Sequence, residues 1–489
     1  MANGKQAVRK TPNRSLGSAT LPISQSVSTG IPGLDQILGG GYPRGRVTVI
    51  RGASGTGKSI FGLLYAISRS KADGKAVFAT FDEAPDTLRE YLTTWGAPES
   101  VSLLDFRPDP ELMTSGGQME LGGLLVRIEY ALKKSGAKRL VLDAFDTLFA
   151  AFENKAQVRS DLFRVFDWCR KRGITVVATT GEESAYRAST GIMDYAADCT
   201  ILLDQRIEDG LMTRLLRVMK CRGRAHGTNE YPFLIDEHGV SILPVTNTMM
   251  SANASKRKIS TGLDSLDEML GGQGVWEGTA VMISGQSGTG KSLLAANMAA
   301  AACRQGKKVL YVSFEESQEQ IVRDVKSAGI RLASHIKAGN LRMISRRSVE
   351  YGIEQHIILK LRAVDEYDPD IVVFDPISAL SDLGDARTFK NMAIRLCHEL
   401  KARGITTVIT ELLPDDMGNL SKLNVSSLVD TWIRLGRIER GGEMRRKIQV
   451  QKSRGAATSK QIRELQITNK GLAIGGSINA EDFLSGRTT

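Results

Sequence analysis

The sequence predicts an α/β chain of two tandem domains, each a mostly parallel sheet flanked by helices. Three observations lead there. The chain repeats itself at a fixed offset, each half alternates short apolar β-rich runs with helical stretches, and each half carries a glycine-rich loop between a strand and a helix. With 489 residues the chain is too long for one ordinary core and suits two or three domains.

The repeat comes first because it fixes the architecture. STGIPGLDQILGGG at 28–41 returns as STGLDSLDEMLGGQ at 260–273, GASGTGKS at 52–59 as GQSGTGKS at 285–292, and FDEAPD at 81–86 as FEESQE at 314–319. RLVLD at 139–143 answers DIVVFD at 370–375, and MKCRG at 219–223 answers QKSRG at 451–455. Each pair is offset by 232 or 233 positions, so the chain is a duplicated domain. The segment TNTMMSANASKRK is polar, rich in small residues and without periodicity, which makes it a linker. The expected organisation is a basic tail at 1–20, a first domain at 21–245, a linker at 246–258, a second domain at 259–475 and a tail at 476–489.

Within each half the elements follow from pattern. RVTVI, KAVFATF, RLVLD and GITVVATT are the apolar strands of the first half, and TAVMIS, KVLYVSF, IVVFD and GITTVITE take their places in the second. Buried strands separated by helices imply a parallel sheet covered on both faces. RLLRVMK and FLIDEHGVSIL, like RRKIQVQK and IRELQIT, read as an antiparallel extension at the sheet edge.

Composition bounds the function. Apolar content of 42% and charged content of 24% are those of a soluble globular protein. There is no run of eighteen apolar residues, and the basic N-terminal stretch lacks the apolar core of a secretory signal, so no membrane role is expected. The cysteines Cys169, Cys199, Cys221, Cys303 and Cys397 are scattered without metal-ligand spacing, which points to the reducing cytoplasm. The net charge of +11 is concentrated at Lys5, Arg9, Lys10 and Arg14 and at Lys256, Arg257 and Lys258. Charge placed in tails and linkers reads as solvated segments more readily than as a nucleic-acid surface.

The loops carry the chemistry. Gly52, Ser54, Gly55, Thr56, Gly57, Lys58 and Ser59 lie between an apolar strand and an apolar-periodic helix, the context that a P-loop requires. Glycines let the backbone N–H groups approach phosphate oxygens, and the helix turns its positive end to the same charge. Lys58 is expected on the β- and γ-phosphates of ATP and Ser59 on Mg²⁺. Gly285, Ser287, Gly288, Thr289, Gly290, Lys291 and Ser292 repeat the pattern in the second half. Asp143 and Asp375 end apolar strands 85 and 84 residues after the two P-loop lysines and fit the carboxylate that holds the Mg²⁺ shell. Asp82-Glu83 and Glu315-Glu316 follow the strand after each P-loop helix and are the candidate catalytic acids.

Together these residues resemble the KaiC family of duplicated RecA-like P-loop ATPases, over roughly residues 20–475. The resemblance implies a homo-hexameric double ring with ATP between subunits, an ATPase in the first ring and an autokinase in the second. It also implies that Lys220 and Arg222, and Lys452 and Arg454, reach a neighbour's γ-phosphate, and that Ser426 and Ser427 are the phosphorylated pair, with Glu315 activating the hydroxyl. In the first half Asp194 and Tyr195 stand where that serine pair would be. The departures are Asp82 where the family usually has Glu, Asp382 in place of an arginine, and a short C-terminus. They point to a homologue outside a full circadian oscillator, with a Kai-type or histidine-kinase signalling partner. The alternatives are a RecA- or DnaB-like DNA-dependent ATPase and a nucleotide-gated scaffold. An aromatic content of 6%, with no interleaved Arg/Lys–aromatic segment, argues against the DNA motor.

Overall fold

The computed structural model describes residues 25–68, 75–97, 99–107, 121–149, 155–181, 193–208, 210–243, 255–346, 351–381, 383, 386–413, 429–440 and 442–478. It divides into two compact units, one holding most residues up to Thr246 and the other those from Asn247 onward.

The first unit is built on a nine-stranded sheet. Its strands are β1 Val47–Gly52, β2 Ala76–Thr80, β3 Val101–Asp105, β4 Arg139–Asp143, β5 Thr175–Thr180, β6 Cys199–Glu208, β7 Leu211–Cys221, β8 Glu230–Asp236 and β9 Gly239–Ile242. They run in the order β3-β2-β4-β5-β1-β6-β7-β8-β9. From β3 to β6 all neighbours are parallel, and β7, β8 and β9 continue antiparallel. Strands β2, β4 and β5 are buried along their whole length, which is why they read as unbroken apolar runs and not as alternating ones.

The second unit repeats this plan. Its strands are β10 Ala280–Gly285, β11 Val309–Ser313, β12 Leu341–Ser345, β13 Ile371–Asp375, β14 Thr406–Leu412, β15 Thr431–Arg440, β16 Glu443–Ser453, β17 Ile462–Thr468 and β18 Gly471–Ser477. Their order is β12-β11-β13-β14-β10-β15-β16-β17-β18, the same permutation as in the first unit. The α/β class and the duplication are as the sequence predicts. Strands β3, β6, β12, β15 and β18 were not picked out from the sequence, and FLIDEHGVSIL is two strands, β8 and β9, joined by a turn.

Two helices seat the P-loops. The helix Lys58–Ile67 buries Phe61 through Ala66 against the sheet. The helix Lys291–Arg304 is covered on nearly every side and meets that burial with alanine, from Ala295 and Ala296 to Ala299 through Ala302. Small side chains let a helix lie close on a sheet while keeping high helix propensity.

The described end of the segment read as a linker, residues 255–258, contacts the second unit. Arg257 pairs with Glu277 at 2.8 Å. Lys258 donates to the Gly272 carbonyl at 2.6 Å and lies 4.9 Å from the Trp276 ring centre. Lys258 is thus partly buried in internal contacts, while Arg257 stays exposed. None of the described helices is long and apolar enough to cross a membrane.

Candidate nucleotide sites

Each P-loop starts where its strand ends and its helix begins. Gly57 and Gly290 are the helix N-caps, with φ of 98° and 99°, a region that costs other residues strain. A Cβ on Gly52 would sit 2.4 Å from the Leu203 carbonyl oxygen, so this position also needs glycine for closeness. Inside the loops Thr56 donates to the Ala53 carbonyl at 2.8 Å, and Thr289 to that of Gln286 at 2.7 Å. Lys58 Nζ donates to the Gly52 and Ala53 carbonyls, both at 2.9 Å, and Lys291 Nζ to Gln286 at 2.9 Å. Both amines are thus held at the mouth of the loop.

The carboxylates converge on the same edge by register. Thr80 of β2 pairs with Asp143 of β4, and Ser313 of β11 with Asp375 of β13, so the acids after β2 and β11 lie beside the acids ending β4 and β13. The strand-end hydroxyls hold those turns. Thr80 Oγ1 accepts from Glu83 N at 3.1 Å, and Ser313 Oγ from Glu316 N at 3.1 Å. The following helix Gln318–Ser327 opens with a capping box between Ser317 and Gln320, which fixes the exit of the acidic turn.

Asp143 and Asp375 are buried. Thr179 donates to Asp143 at 2.6 Å, and Thr410 occupies the same place beside Asp375. Ser292 Oγ donates to Asp375 Oδ1 at 3.1 Å. A hydroxyl and a buried carboxylate in contact form the oxygen donor set that Mg²⁺ takes, so the residues fit that ion. Tyr311 also donates its hydroxyl to Asp375 Oδ2, at 2.5 Å, where the first unit has Phe78. Neither the threonines nor Tyr311 was singled out from the sequence. The only signal for Tyr311 is the hydroxyl it adds where KAVFATF has Phe78, one of five differences from KVLYVSF.

The electrostatics follow from this crowding. Burial raises the Asp143 carboxyl, with Thr179, Ser59 and Lys58 pulling the other way. Glu83 is raised by partial burial and by Asp143 and Asp82. Partial burial and Asp375 raise Glu315, and Lys291 opposes them; Glu316 is raised by burial, Asp375, Asp324 and Glu315. Burial lowers Lys291, while Asp375 and Glu315 hold it up. The second unit therefore has a cleft of about 450 Å³ in which Ser287, Lys291, Ser292, Glu315, Glu316 and Asp375 meet. Arg446, from β16 of the antiparallel extension, lines this cleft and donates to the Gly288 carbonyl at 3.2 Å, and Arg437 of β15 donates to the neighbouring Ser287 carbonyl at 2.7 Å. Sequence reasoning missed both, because their strands are far from the loop in the chain.

The Lys–Arg pairs lie elsewhere. Lys452 is opposite Trp432, which pairs with Met282 of β10, three residues or about 10 Å along the strand from Gly285, where the P-loop begins. Arg454 is further off, its N–H donating to the Asp430 carbonyl beside the start of β10. Lys220 and Arg222 have the same placement, with Arg222 N donating to the Asp198 carbonyl beside the start of β6. Their side chains donate to the carbonyls of Asp194 and Tyr195. Burial, with the neighbouring arginine adding to it, lowers both Lys220 and Lys452. Neither pair reaches the P-loop of its own unit. Ser426, Ser427 and Asp382 lie outside the described residues, as does the basic tail at 1–20.

Two duplicated α/β units with these loops and buried strand-end carboxylates define a tandem P-loop ATPase. The KaiC ATPase family model matches residues 27–247 and again 259–478. The circadian clock protein KaiC2 of Synechocystis sp. is 36% identical over 465 residues, covering 92% of this chain and 82% of that protein. KaiC3 of the same organism is 31% identical over 468 residues, covering 92% of each chain. The circadian clock oscillator protein KaiC of Prochlorococcus marinus is 32% identical over 483 residues, covering 96% of each. The chain belongs to the KaiC family of ATPases.

One consequence is specific to the second unit. Tyr311→Phe removes a hydrogen bond to a charged group and leaves the ring in place. ATP turnover by the second domain is expected to fall about tenfold. Hydrolysis by the first domain, where Phe78 holds the equivalent position, should be unchanged when phosphate release is followed with the second domain silenced.

Proposed function

We propose that this chain is a ring-forming ATPase whose first domain hydrolyses ATP and whose second transfers the γ-phosphoryl group to Ser426 or Ser427. The observation that carries the reading is the placement of Arg222 and Arg454 beside the starting ends of the strands that lead into the P-loops, with Lys220 and Lys452 two residues nearer and still about 10 Å short along the strand. A cation pair that cannot serve its own site can serve the site of the next subunit, which ties catalysis to assembly. A closed homo-hexamer is the assembly adopted here.

In each site the P-loop amides, with Lys58 or Lys291, hold the phosphates. Ser59 with Asp143, and Ser292 with Asp375, would hold Mg²⁺, which when bound would neutralise negative charge on the phosphates. Glu83, partly buried and next to Asp143, orients the attacking water in the first domain, with the shorter Asp82 beside it. Glu315 takes the proton of the serine hydroxyl in the second, and Glu316 keeps the local field negative. The trans cations stabilise charge developing on the γ-phosphoryl oxygens. Five buried free thiols favour a reducing cytoplasm as its compartment. The clock names of its relatives support a role as a nucleotide-driven timing or signalling switch read by a Kai-type or histidine-kinase partner.

The test is mass spectrometry of the purified protein after incubation with ATP and Mg²⁺. Phosphate is expected on Ser426 or Ser427, and Ser426→Ala/Ser427→Ala protein should take up none. Equal uptake by that variant would sink the assignment.

A further inference from the structure

Two cysteines of the first unit face one another across the sheet, next to the cation pair. Cys199 opens β6 and Cys221 closes the neighbouring β7. The backbone bond from Arg222 N to the Asp198 carbonyl, 2.9 Å, joins the residues just outside this pair. In an antiparallel ladder that bond makes Cys199 and Cys221 a directly opposed, non-hydrogen-bonded pair, with Cα atoms about 4.5 Å apart. The second unit has the same arrangement. Arg454 N bonds to the Asp430 carbonyl, Thr431 and Ser453 are register partners, and their hydroxyls meet at 3.1 Å. Where one unit has a hydroxyl pair the other has a thiol pair, and a Cα spacing of about 4.5 Å lies inside the range that a disulfide spans.

Both thiols are free and buried. The neighbouring Cys199 thiol holds the Cys221 thiol below its usual range, helped by Arg224 and Arg46, while that pairing and burial push Cys199 well up. Elsewhere burial pushes Cys169 up to about 12 and Cys303 to about 11, and burial with the nearby Asp430 pushes Cys397 to about 12. Cys221 is also the more accessible of the pair, at 6% against 0%, and ends its strand, where local fraying opens it first. It is therefore the attacking thiol.

We propose that Cys199 and Cys221 form a reversible dithiol–disulfide pair, oxidised by a low-molecular-weight disulfide, that controls the strand end carrying Lys220 and Arg222. The Cys221 thiolate attacks one sulfur of the small disulfide, forming a mixed disulfide and expelling one thiolate. The Cys199 thiol then loses its proton, attacks the Cys221 sulfur and expels the second. The protein gives up two electrons and two protons, and the small disulfide leaves as two thiols. Closure draws the two Cβ atoms from about 5 Å to about 3.8 Å and shifts the residues on either side of Cys221. That the shift governs catalysis rests on the trans role of Lys220 and Arg222 proposed above.

The experiment treats the full-length protein with oxidised glutathione, caps the remaining thiols and maps the peptides by mass spectrometry. A Cys199–Cys221 crosslink is expected, with Cys169, Cys303 and Cys397 capped as thiols and the crosslink undone by dithiothreitol. First-domain hydrolysis should fall roughly tenfold on oxidation, the scale of a displacement approaching one ångström at a catalytic group, and return on reduction. The Cys199→Thr/Cys221→Ser variant, built on the second unit's pair, should keep wild-type hydrolysis and ignore the oxidant. Capping of Cys199 and Cys221 as free thiols, glutathione adducts without the crosslink, or a crosslink that leaves hydrolysis unchanged would each overturn the proposal. Normal hydrolysis by Lys220→Ala/Arg222→Ala protein would instead sink the trans reading, while leaving the crosslink measurable.

Discussion

Subunits carrying Lys220→Ala/Arg222→Ala are expected to lose first-domain hydrolysis by about three orders of magnitude, the range found for a cation supplied in trans. Subunits carrying Lys58→Ala should be equally inactive, because that change removes the amine at the mouth of the P-loop. Mixed in equal amounts and allowed to assemble, the two inactive proteins should recover about a quarter of wild-type activity. Only junctions that join an intact P-loop to an intact cation pair work, and random head-to-tail pairing makes about one in four of that kind. Phosphate release from sized assemblies, with the second domain silenced by Glu315→Gln/Glu316→Gln, provides the measurement. A mixture no more active than its parts would rule out sites shared between subunits.

The second large effect concerns Glu315. Partial burial and the neighbouring Asp375 raise its carboxyl, against the pull of Lys291. A base acts only when ionised, and a raised group is protonated at a higher pH than an ordinary glutamate. Phosphate uptake by the second domain should therefore fall as pH drops through a midpoint above the usual glutamate range, and stay high on the alkaline side. Glu315→Gln should lower the rate by about a hundredfold to ten-thousandfold and remove that acid limb. Glu316→Gln should keep the limb. Uptake of labelled phosphate against pH separates the two, and an unchanged acid limb in Glu315→Gln would exclude Glu315 as the base.

What was legible in the sequence was what the backbone demands. Gly57 and Gly290 must sit at positive φ, and Gly52 must admit the Leu203 carbonyl, so the loops are written in glycine and stand out. The duplication made the parallel core legible too. What was hidden depends on which side chains from distant strands fall into register. Thr179, Thr410 and Tyr311 matter because their strands lie within reach of Asp143 or Asp375, and nothing local in VVATT or VLYVS says so. Arg437 and Arg446 reach Ser287 and Gly288 across some 150 residues of chain, a contact that only the folded sheet creates. The edge strands were missed for another reason. β3 and β12 are only partly buried, so their apolar signal is diluted.

Cation pairs that fall short of their own P-loops also have a genetic consequence. In a ring held by trans contacts, each copy is a host on one flank and a donor on the other. A copy damaged at its P-loop silences one junction, and a copy damaged at its cation pair silences the junction on its other side. A copy damaged at both silences two. Such a protein, made alongside the normal one, would poison assemblies faster than its share of the pool. Dominance would then follow from the direction of a sheet and not from misfolding.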